Sequence, residues 1–300
     1  MKFKKWCLAL LSLIPVGLIL TSCSSQKKSA AAPAPAVKPN QSQVVTTTLY
    51  SKKLHMDWNY DVYLPANYKE NSKKRYPVLY MMHGIYGNHR NLLERFNSQQ
   101  ILDGLEHRKK KQIIVVFIDG FNSFYINQKN GMQMENAIVD DLVPTINKLY
   151  RTKTDANSNA VGGISMGGYG AARLALKYPN LFNKAVLISP SVWYNLPKAN
   201  PIRKNMHAFT DGKEHWSDEV YDSVFPTRYI NYKSKKDKFF IESTSTDTTV
   251  PIKDVTKFIK TLKGNDISVK FIKDNGGNHN WDYWKTAAPN AYSWALDELN

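Results

Sequence analysis

Six short runs rich in apolar residues, separated by longer segments, limit the folds that this chain can adopt. The runs lie at 78–82, 113–118, 160–164, 185–188, 239–241 and 269–272. Runs that are largely apolar, rather than alternating with polar residues, are typical of β-strands covered on both faces. We therefore predict a mostly parallel central sheet with helices on both of its faces.

The segments between the runs carry the spacing of amphipathic helices. Apolar residues recur at helical intervals within 138–149, 171–178 and 252–262, and Pro144 predicts a kink in the first of these segments. Alternation of strands and helices predicts βαβ units, so the expected fold class is α/β.

Two further regions depart from this alternation. Segments 44–51 and 58–64 alternate polar and apolar residues, which predicts an antiparallel pair at one edge of the sheet. Region 193–232 has few periodic signals and several aromatic residues. We expect it to be an insertion above the sheet that shapes a binding site.

The N-terminus has the pattern of an export signal. Three lysines flank the start of an apolar stretch over 6–20, which is too short for a comfortable membrane span. The stretch ends in Leu-Thr-Ser-Cys23, which resembles the lipobox of bacterial lipoproteins. We therefore predict a signal peptide over 1–22 and a lipid on Cys23, which would hold the chain on the extracytoplasmic face of the cell membrane. An ordinary secretory signal, with Cys23 incidental, is the alternative.

Residues 23–43 are predicted to link this anchor to a folded domain over 44–300. The segment has no aromatic residue and is rich in Ala, Pro, Ser and Lys, so it cannot bury enough apolar surface to order itself. Both cysteines of the chain, Cys7 and Cys23, precede the domain. The domain therefore has no disulfide, metal–thiolate site or cysteine nucleophile.

The net charge of the chain is +16, and removal of the three lysines of the signal peptide leaves +13. No nucleic-acid-binding motif accompanies the scattered Lys and Arg residues, so we expect no nucleic-acid partner. Anionic lipid headgroups or wall polymers are the partners that suit an exported basic protein. A solvated basic surface explains the charge equally well.

The sequence Gly163-Ile-Ser165-Met-Gly-Gly follows a predicted strand and precedes a predicted helix. That context is typical of the nucleophile elbow, a tight turn that exposes a serine hydroxyl and needs glycine on either side. The helix N-terminus behind the turn offers free N–H groups to an oxyanion. Ser165 is therefore the candidate nucleophile, and a glycine-rich turn without a catalytic role is the alternative.

A second glycine-bearing loop, His83-Gly-Ile-Tyr-Gly, follows the first apolar run. Glycines allow the backbone to approach a carbonyl oxygen closely, so this loop is expected to supply an oxyanion donor. We predict an oxyanion hole made from the N–H of Met166 and that of Ile85 or Tyr86. His83 is interpreted as a structural loop residue, because it precedes the serine.

The remaining triad members should follow the serine in the order acid, histidine. His279 lies in a glycine-bearing loop after the last predicted strand, whereas His207 and His215 fall in the irregular insertion. Asp247 follows the predicted strand 239–241 and precedes a helix, so it is placed to hold the tautomer of His279.

Three other carboxylates compete with Asp247 for the role of acid. We expect Glu242 to lie within the strand, Asp254 on the surface of the following helix, and Asp282 in solvent. The neighbouring Trp281 and Trp284 are interpreted as core anchors of the terminal helix.

Together, His83-Gly-Ile-Tyr-Gly, Gly-Ile-Ser165-Met-Gly-Gly and Gly-Asn-His279-Asn-Trp-Asp-Tyr-Trp resemble the esterase D family. That family includes S-formylglutathione hydrolases, feruloyl and acetyl esterases, and mycolyltransferases. The resemblance extends over most of 44–300 and implies an α/β-hydrolase that acts on carboxylic esters without a metal or an organic cofactor. In two departures, Asn159 replaces an arginine that many relatives carry, and 244–247 match the family pattern loosely.

We expect a serine esterase that acts through an acyl-enzyme on acylated carbohydrates, or on small acetyl- or feruloyl-type esters, outside the cell. An acyltransferase that loads a cell-wall glycan is one alternative. A glycan-binding lipoprotein without catalysis is another, although the intact serine, acid and histidine argue against it.

Overall fold

The computed structural model describes residues 41–68, 73–210, 212 and 216–299. The predicted signal peptide, Cys23 and most of the predicted linker lie outside these residues, as does His215. None of the helices in the described part of the chain has both the length and the hydropathy needed to cross a membrane.

Eight strands of the described residues form one mixed sheet: β1 (Gln43–Ser51), β2 (Met56–Leu64), β3 (Val78–Met82), β4 (Ile114–Ile118), β5 (Asn159–Ile164), β6 (Lys184–Ile188), β7 (Lys238–Thr244) and β8 (Ser268–Asp274). Their order in space is β1-β2-β4-β3-β5-β6-β7-β8. β1 pairs with β2 and β2 with β4 in antiparallel fashion, whereas the other neighbouring pairs are parallel. The predicted α/β fold with a mostly parallel sheet is confirmed.

The strands follow the apolar runs of the sequence closely. β3 coincides with its run, and the starts of β4, β5 and β6 differ from theirs by one residue. β7 continues to Thr244, past the run 239–241, because residues 242–244 still pair with β8. β1 and β2 form the antiparallel edge pair that the sequence predicts.

The helices are α1 (Arg90–Arg95), α2 (Ser98–Lys109), α3 (Met134–Asn136), α4 (Val143–Leu149), α5 (Met166–Lys177), α6 (Pro201–Asn205), α7 (Asp218–Ser223), α8 (Ile252–Gly264) and α9 (Trp281–Glu298), with 3₁₀ turns at Ala156–Ser158, His207–Phe209, Pro226–Tyr229 and Tyr232–Lys236. α1, α2 and α9 pack on one face of the sheet, and α4, α5 and α8 on the other. In α8, Val255, Phe258, Ile259 and Leu262 recur every three or four residues and are buried, so one stripe of the helix faces the core.

The helical segment around Pro144 is irregular, as the sequence predicts. Ala137–Leu142 forms a π-helical turn between α3 and α4, and Pro144 lies in the first turn of α4. Proline has no N–H to donate to the carbonyl of Asp140, so regular α-helical hydrogen bonds cannot continue through this point.

The insertion between β6 and β7 is fixed by packed aromatic rings. The ring centroid of Phe209 lies 4.7 Å from that of Phe124 and 4.9 Å from that of Tyr221. Tyr169 of α5 lies 5.7 Å from Phe209. These contacts hold the insertion beside the helix that begins directly after Ser165.

Candidate active site

Ser165 stands alone between β5 and α5 in a strained backbone conformation. Its φ is 52° and its ψ is −115°, a region that residues other than glycine rarely adopt. A Cβ on Gly163 would lie 2.5 Å from the carbonyl oxygen of Met82, and one on Gly167 would collide with the same carbonyl group. Glycine is therefore required on both sides of the serine, and the turn presents the hydroxyl at the carboxyl end of the sheet.

The structure brings Ser165, His279 and Asp247 into one hydrogen-bonded chain. Ser165 Oγ lies 2.7 Å from His279 Nε2, and His279 Nδ1 lies 2.7 Å from Asp247 Oδ2. The side chain of Asp247 is fully buried and that of His279 is 9% exposed. The loops after β5, β7 and β8 supply one residue each, because parallel strands end at the same edge of the sheet.

The hydrogen bonds of Asp247 indicate where the protons lie in the hydrogen-bonded chain from Ser165 to Asp247. Asp247 Oδ1 accepts hydrogen bonds from the backbone N–H groups of Thr249 and Val250, both at 2.8 Å, so the carboxylate acts as an acceptor. Its Oδ2 then accepts from His279 Nδ1–H, which leaves Nε2 without a proton. The hydroxyl of Ser165 therefore donates to His279 Nε2, as a nucleophile donates to its general base.

Ser191 is a member of the site that the sequence analysis missed. Its Oγ lies 3.1 Å from Ser165 Oγ, and its backbone N–H donates to the carbonyl of Ser165 at 3.0 Å. Because the proton of Ser165 is directed to His279, Ser191 is the donor between the two hydroxyls. It lies just after β6, the strand that pairs with β5, and nothing in the sequence distinguishes it from other loop serines.

A second missed residue, Asn278, joins the loop of the histidine to the loop of the acid. Asn278 Oδ1 accepts from the N–H of His279 at 2.8 Å and from the N–H and hydroxyl of Thr248 at 3.0 and 3.1 Å. The ring of His279 also meets the ring of Trp284 edge to face, at a centroid distance of 5.0 Å. These contacts fix the position of the imidazole.

His83 is a structural residue of its loop, in agreement with its interpretation from the sequence. Its Nδ1 lies 2.6 Å from the carbonyl oxygen of Gly84, and its Nε2 accepts from the N–H of Gly120 at 2.9 Å. Both ring nitrogens are therefore used in holding the loop after β3 against the loop after β4.

The two candidate donors in the loop after β3 differ in their partners. The N–H of Tyr86 donates to Asn122 Oδ1 at 2.8 Å, so it is already engaged. Ile85 precedes it and lines the same cavity as Ser165 and Met166. The N–H of Met166 belongs to the first turn of α5, where N–H groups have no carbonyl partner within the helix.

The other three candidate acids do not join the hydrogen-bonded chain from Ser165 to Asp247. Glu242 is buried in β7, as expected, with Oε1 3.3 Å from Asn290 Nδ2, and burial raises its pKa to about 7. Asp282 is exposed, as expected. The expected surface position of Asp254 is wrong: only 5% of it is exposed, because the insertion covers the first turn of α8, and burial raises its pKa.

The remaining sequence candidates do not join the site. His207 is exposed in a 3₁₀ turn of the insertion. Asn159 is buried, and its side-chain amide donates to the carbonyl of Asp155 at 2.9 Å, so it caps the turn before β5. Among the described residues, no group of three or more His, Cys, Asp or Glu side chains is arranged to hold a metal ion.

A cavity of about 420 Å³ opens above Ser165. Apolar and aromatic side chains form most of its wall: Phe124, Trp193, Ile202, Met206, Trp281 and Trp284. The interpretation of Trp281 and Trp284 as core anchors alone is therefore incomplete, since both also line the cavity. Three of the six residues come from the insertion, which shapes the site as predicted.

Comparison with known proteins gives a family and several relatives. Residues 51–294 match the model of a family described as "Putative esterase". An endo-1,4-beta-xylanase/feruloyl esterase of Xylanibacter ruminicola is 30% identical over 158 residues, which are 50% of this chain and only 22% of that protein. An acetyl esterase of Caldicellulosiruptor saccharolyticus is 24% identical over 268 residues, which are 84% of this chain and 97% of that protein.

The fold is also found among solved structures. A ferulic acid esterase is similar with a TM-score of 0.73 at 23% sequence identity, over 87% of this chain and 99% of the other. At this identity the similarity concerns the fold.

Proposed function

Since the chain belongs to this esterase family and is a carboxylic ester hydrolase, we propose that Ser165, His279 and Asp247 are its catalytic triad and that it hydrolyses feruloyl-type esters of carbohydrates outside the cell. The observation that carries the proposal is the hydrogen-bonded chain from Ser165 to Asp247 at the floor of a cavity lined by aromatic side chains.

In the first half of the reaction, Ser165 Oγ attacks the carbonyl carbon of the ester while His279 Nε2 takes the hydroxyl proton. Asp247 stabilises the resulting imidazolium through its hydrogen bond with Nδ1. The tetrahedral intermediate then loses the alcohol: its C–O bond breaks, and His279 returns the proton to the departing oxygen. The acyl group remains as an ester of Ser165.

In the second half, water replaces the alcohol. His279 Nε2 takes a proton from the water as its oxygen attacks the acyl carbon. The bond from carbon to Ser165 Oγ then breaks, His279 protonates Oγ, and the free acid leaves. Serine and imidazole return to their starting protonation states.

Two backbone N–H groups stabilise the negative oxygen of the tetrahedral intermediates. Met166 supplies one from the first turn of α5, and Ile85 supplies the other. The engagement of Tyr86 N–H with Asn122 supports the choice of Ile85. Loss of one such donor typically lowers turnover about 10²- to 10³-fold.

The cavity wall supports an aromatic acyl group. Six apolar side chains, three of them tryptophans, surround about 420 Å³, far more than an acetyl group occupies. Aromatic rings in contact gain free energy beyond that of area burial, so a phenolic acyl group exploits this wall where a methyl group cannot. The alcohol portion lies towards the open mouth, where a carbohydrate remains in water.

The proposal also places the enzyme on the extracytoplasmic face of the cell membrane, through a lipid on Cys23. We expect the mature chain to begin at Cys23 and to partition with membranes, and Cys23→Ala to be released into the medium. Fractionation and mass spectrometry of the N-terminal peptide measure both. Wild-type protein that is wholly soluble, with a free Cys23 thiol, would rule out the anchor.

Activity on matched esters tests the substrate class. The value of kcat/KM for methyl ferulate should exceed that for methyl acetate at least about tenfold, because the aromatic ring buries apolar area in the cavity. Ile202→Trp, which fills the cavity, should reduce turnover of the ferulate and spare that of the acetate. Equal use of both esters by the wild-type enzyme would contradict the feruloyl-type assignment.

Adding an acceptor sugar distinguishes a hydrolase from the alternative acyltransferase. With a soluble oligosaccharide present, a hydrolase releases free ferulate at an unchanged rate, whereas a transferase forms a new sugar ester at the expense of the acid. Chromatography of the products distinguishes the two.

A further inference from the structure

Basic residues are concentrated at one edge of the sheet, opposite the active site. Among the described residues, fourteen exposed or partly exposed Lys or Arg residues lie at the amino ends of β3 to β8: three in 73–75, four in 108–111, two in 151–153, four in 233–238 and one at 263. The described part of these segments and the end of α9 carry five acidic residues, Asp155, Asp237, Asp266, Asp297 and Glu298. We call this surface the basic end.

The opposite edge has a different charge. The loops that directly follow the parallel strands, at 83–89, 119–127, 189–197, 245–251 and 275–280, contain no Lys or Arg and two acids, Asp119 and Asp247. The rest of the insertion, 198–230, holds five basic and five acidic residues. The excess positive charge is therefore a property of one end of the domain.

Hydrogen bonds and ion pairs join several segments of the basic end to one another. Arg151 Nε donates to the carbonyl of Lys74 at 3.0 Å, which joins the segments before β3 and β5. Lys109 and Lys238 reach the last two acids of α9, Asp297 at 2.7 Å and Glu298 at 2.8 Å, which joins the segments before β4 and β7.

Fold stability alone does not account for this distribution. Basic residues are favourable at helix C-termini, which explains Arg108 and Lys109 at the end of α2. Among the described residues, the segment 73–75 does not follow a helix, and most of the side chains before β3 and β7 are exposed. Asp237 adds little negative charge near pH 7, since burial raises its pKa to about 8.

The chain enters the described domain at this same end. Gln43, the first residue of β1, pairs with Leu64, and the adjacent Tyr63 pairs with Val115 near the start of β4. Gln41 and Ser42 line one cavity together with Lys110. The eighteen peptide units from Cys23 to Gln41 span at most about 60 Å, so a lipid on Cys23 would limit the distance between Gln41 and the bilayer to that length.

We infer that the basic end binds the anionic phospholipid headgroups of the membrane and directs the active site away from it. Lys and Arg near such a surface strengthen binding about fivefold each and act within a Debye length of about 10 Å at ~0.1 M salt. The choice of a membrane rather than a soluble polyanion rests on the proposed lipid anchor. The binding itself is independent of the anchor and of the esterase activity.

The test uses a chain that starts at Ser24, which has no lipid but keeps the whole described sheet with its two flanking helical layers. Binding is measured by co-sedimentation with vesicles of phosphatidylcholine, alone or with about 30 mol% phosphatidylglycerol. The variant Lys73→Gln/Arg108→Gln/Lys233→Gln/Lys236→Gln neutralises four exposed residues of the basic end. The matched control, Lys52→Gln/Lys129→Gln/Lys204→Gln/Lys285→Gln, removes the same charge from exposed positions elsewhere.

We expect the parent chain and the control to bind the anionic vesicles and not the neutral ones, with binding lost at ~1 M salt. The basic-end variant should bind on the order of 100-fold more weakly. Hydrolysis of p-nitrophenyl acetate at the parent rate shows that both variants are folded. Equal weakening in both variants would overturn the inference, because net charge alone would then explain binding. Binding to soluble polyphosphate without binding to anionic vesicles would overturn it as well.

Discussion

At the scale of single residues, Ser165 Oγ has two hydrogen-bond partners that act on it differently. His279 Nε2 at 2.7 Å accepts its proton, and Ser191 Oγ at 3.1 Å donates a proton to it. In the proposed mechanism, the hydrogen bond that Ser165 donates to His279 makes the oxygen a better nucleophile. The hydrogen bond from Ser191 would then stabilise negative charge on the same oxygen when Oγ leaves the acyl-enzyme.

Substitution of the two serines should separate these contributions. We expect Ser165→Ala to lower turnover on the order of 10³-fold or more, because it removes the nucleophile. Ser191→Ala should lower turnover only about 2- to 10-fold, since one hydrogen bond between neutral groups contributes about 0.5–1.5 kcal/mol. Steady-state kinetics on one ester, with circular dichroism as the folding control, compares them. A folded Ser165→Ala protein with nearly full activity would refute the mechanism.

The identity of the acid is tested in the same way. Asp247→Asn keeps the shape of the side chain but favours the wrong tautomer of His279, and a loss of about 10⁴ in kcat is the expected size. Glu242→Gln and Asp282→Asn are the matched controls and should change kcat less than tenfold. A small loss in Asp247→Asn together with a large loss in either control would move the role of acid to that control residue.

Where a residue type is rare and its context is specific, the sequence identifies the candidate residues that the structure brings together. Ser165 stands between a strand and a helix with glycines on both sides, and His279 is the one histidine after the last strand. Ser191 and Asn278 were missed because serine and asparagine are common in loops. Only the distances to Ser165 and to Thr248 single them out.

At the scale of elements, the turn from β5 into α5 depends on the absence of a side chain at Gly163. A Cβ there would stand 2.5 Å from the carbonyl oxygen of Met82 and 2.6 Å from the carbonyl carbon of Gly167. Both of these atoms belong to the backbone, one in strand β3 and the other in the first turn of α5. Neither can move aside without breaking hydrogen bonds of the sheet or the helix.

Gly163→Ala should therefore destabilise the fold by about 1–3 kcal/mol and abolish most activity, since overpacking displaces the serine. Gly264→Ala at the end of α8 is the control: a Cβ there meets nothing within 4 Å. It should leave stability unchanged or raise it by about 0.5–1 kcal/mol. Urea denaturation and kcat measured on both variants check this, and equal stability of the two would contradict the steric argument.

Most element boundaries were predictable, because fully buried strands must be apolar whatever surrounds them. The end of β7 was not, since Glu242, Ser243 and Thr244 are polar and yet pair with β8. The burial of Asp254 was not predictable from the sequence for a different reason. It depends on the insertion folding over α8, and the aromatic contacts that fold the insertion join residues far apart in the sequence.

At the scale of the whole molecule, buried carboxyl groups make stability depend on pH. Asp237 is 1% exposed, neither of its carboxyl oxygens has a hydrogen-bond partner among the described residues, and burial raises its pKa to about 8. An unfolded aspartate has a pKa of about 3.9. Between these values the folded protein binds the proton more tightly, so this contribution to stability is complete below about pH 4 and is lost as pH rises through 8.

Asp237→Asn cannot ionise and should remove this pH dependence. We expect the variant to match the wild type near pH 4 and to exceed its free energy of unfolding by on the order of 2 kcal/mol or more near pH 9. Asp266 is exposed, and a hydrogen bond from Lys235 lowers its pKa. The free energy of unfolding of the control Asp266→Asn should therefore not exceed that of the wild type at either pH. Parallel pH profiles for Asp237→Asn and the wild type would show that Asp237 is not the titrating group.

The backbone conformations at the mouth of the cavity have a consequence for engineering this molecule. Of the eleven non-glycine residues with positive φ among those described, six lie in loops at the carboxyl ends of the strands: Tyr86, Phe121, Phe124, Tyr125, Ser165 and Ser189. Each such conformation costs about 1–3 kcal/mol, and together they rival the net stability of a domain. We therefore expect thermal stability and turnover to be coupled at this edge, because a substitution that relaxes the backbone also moves the groups proposed to carry the reaction. Selection for thermostable variants should favour substitutions at the opposite edge of the sheet. One example is glycine in place of Lys110, which adopts a positive φ at the C-terminus of α2, far from the serine.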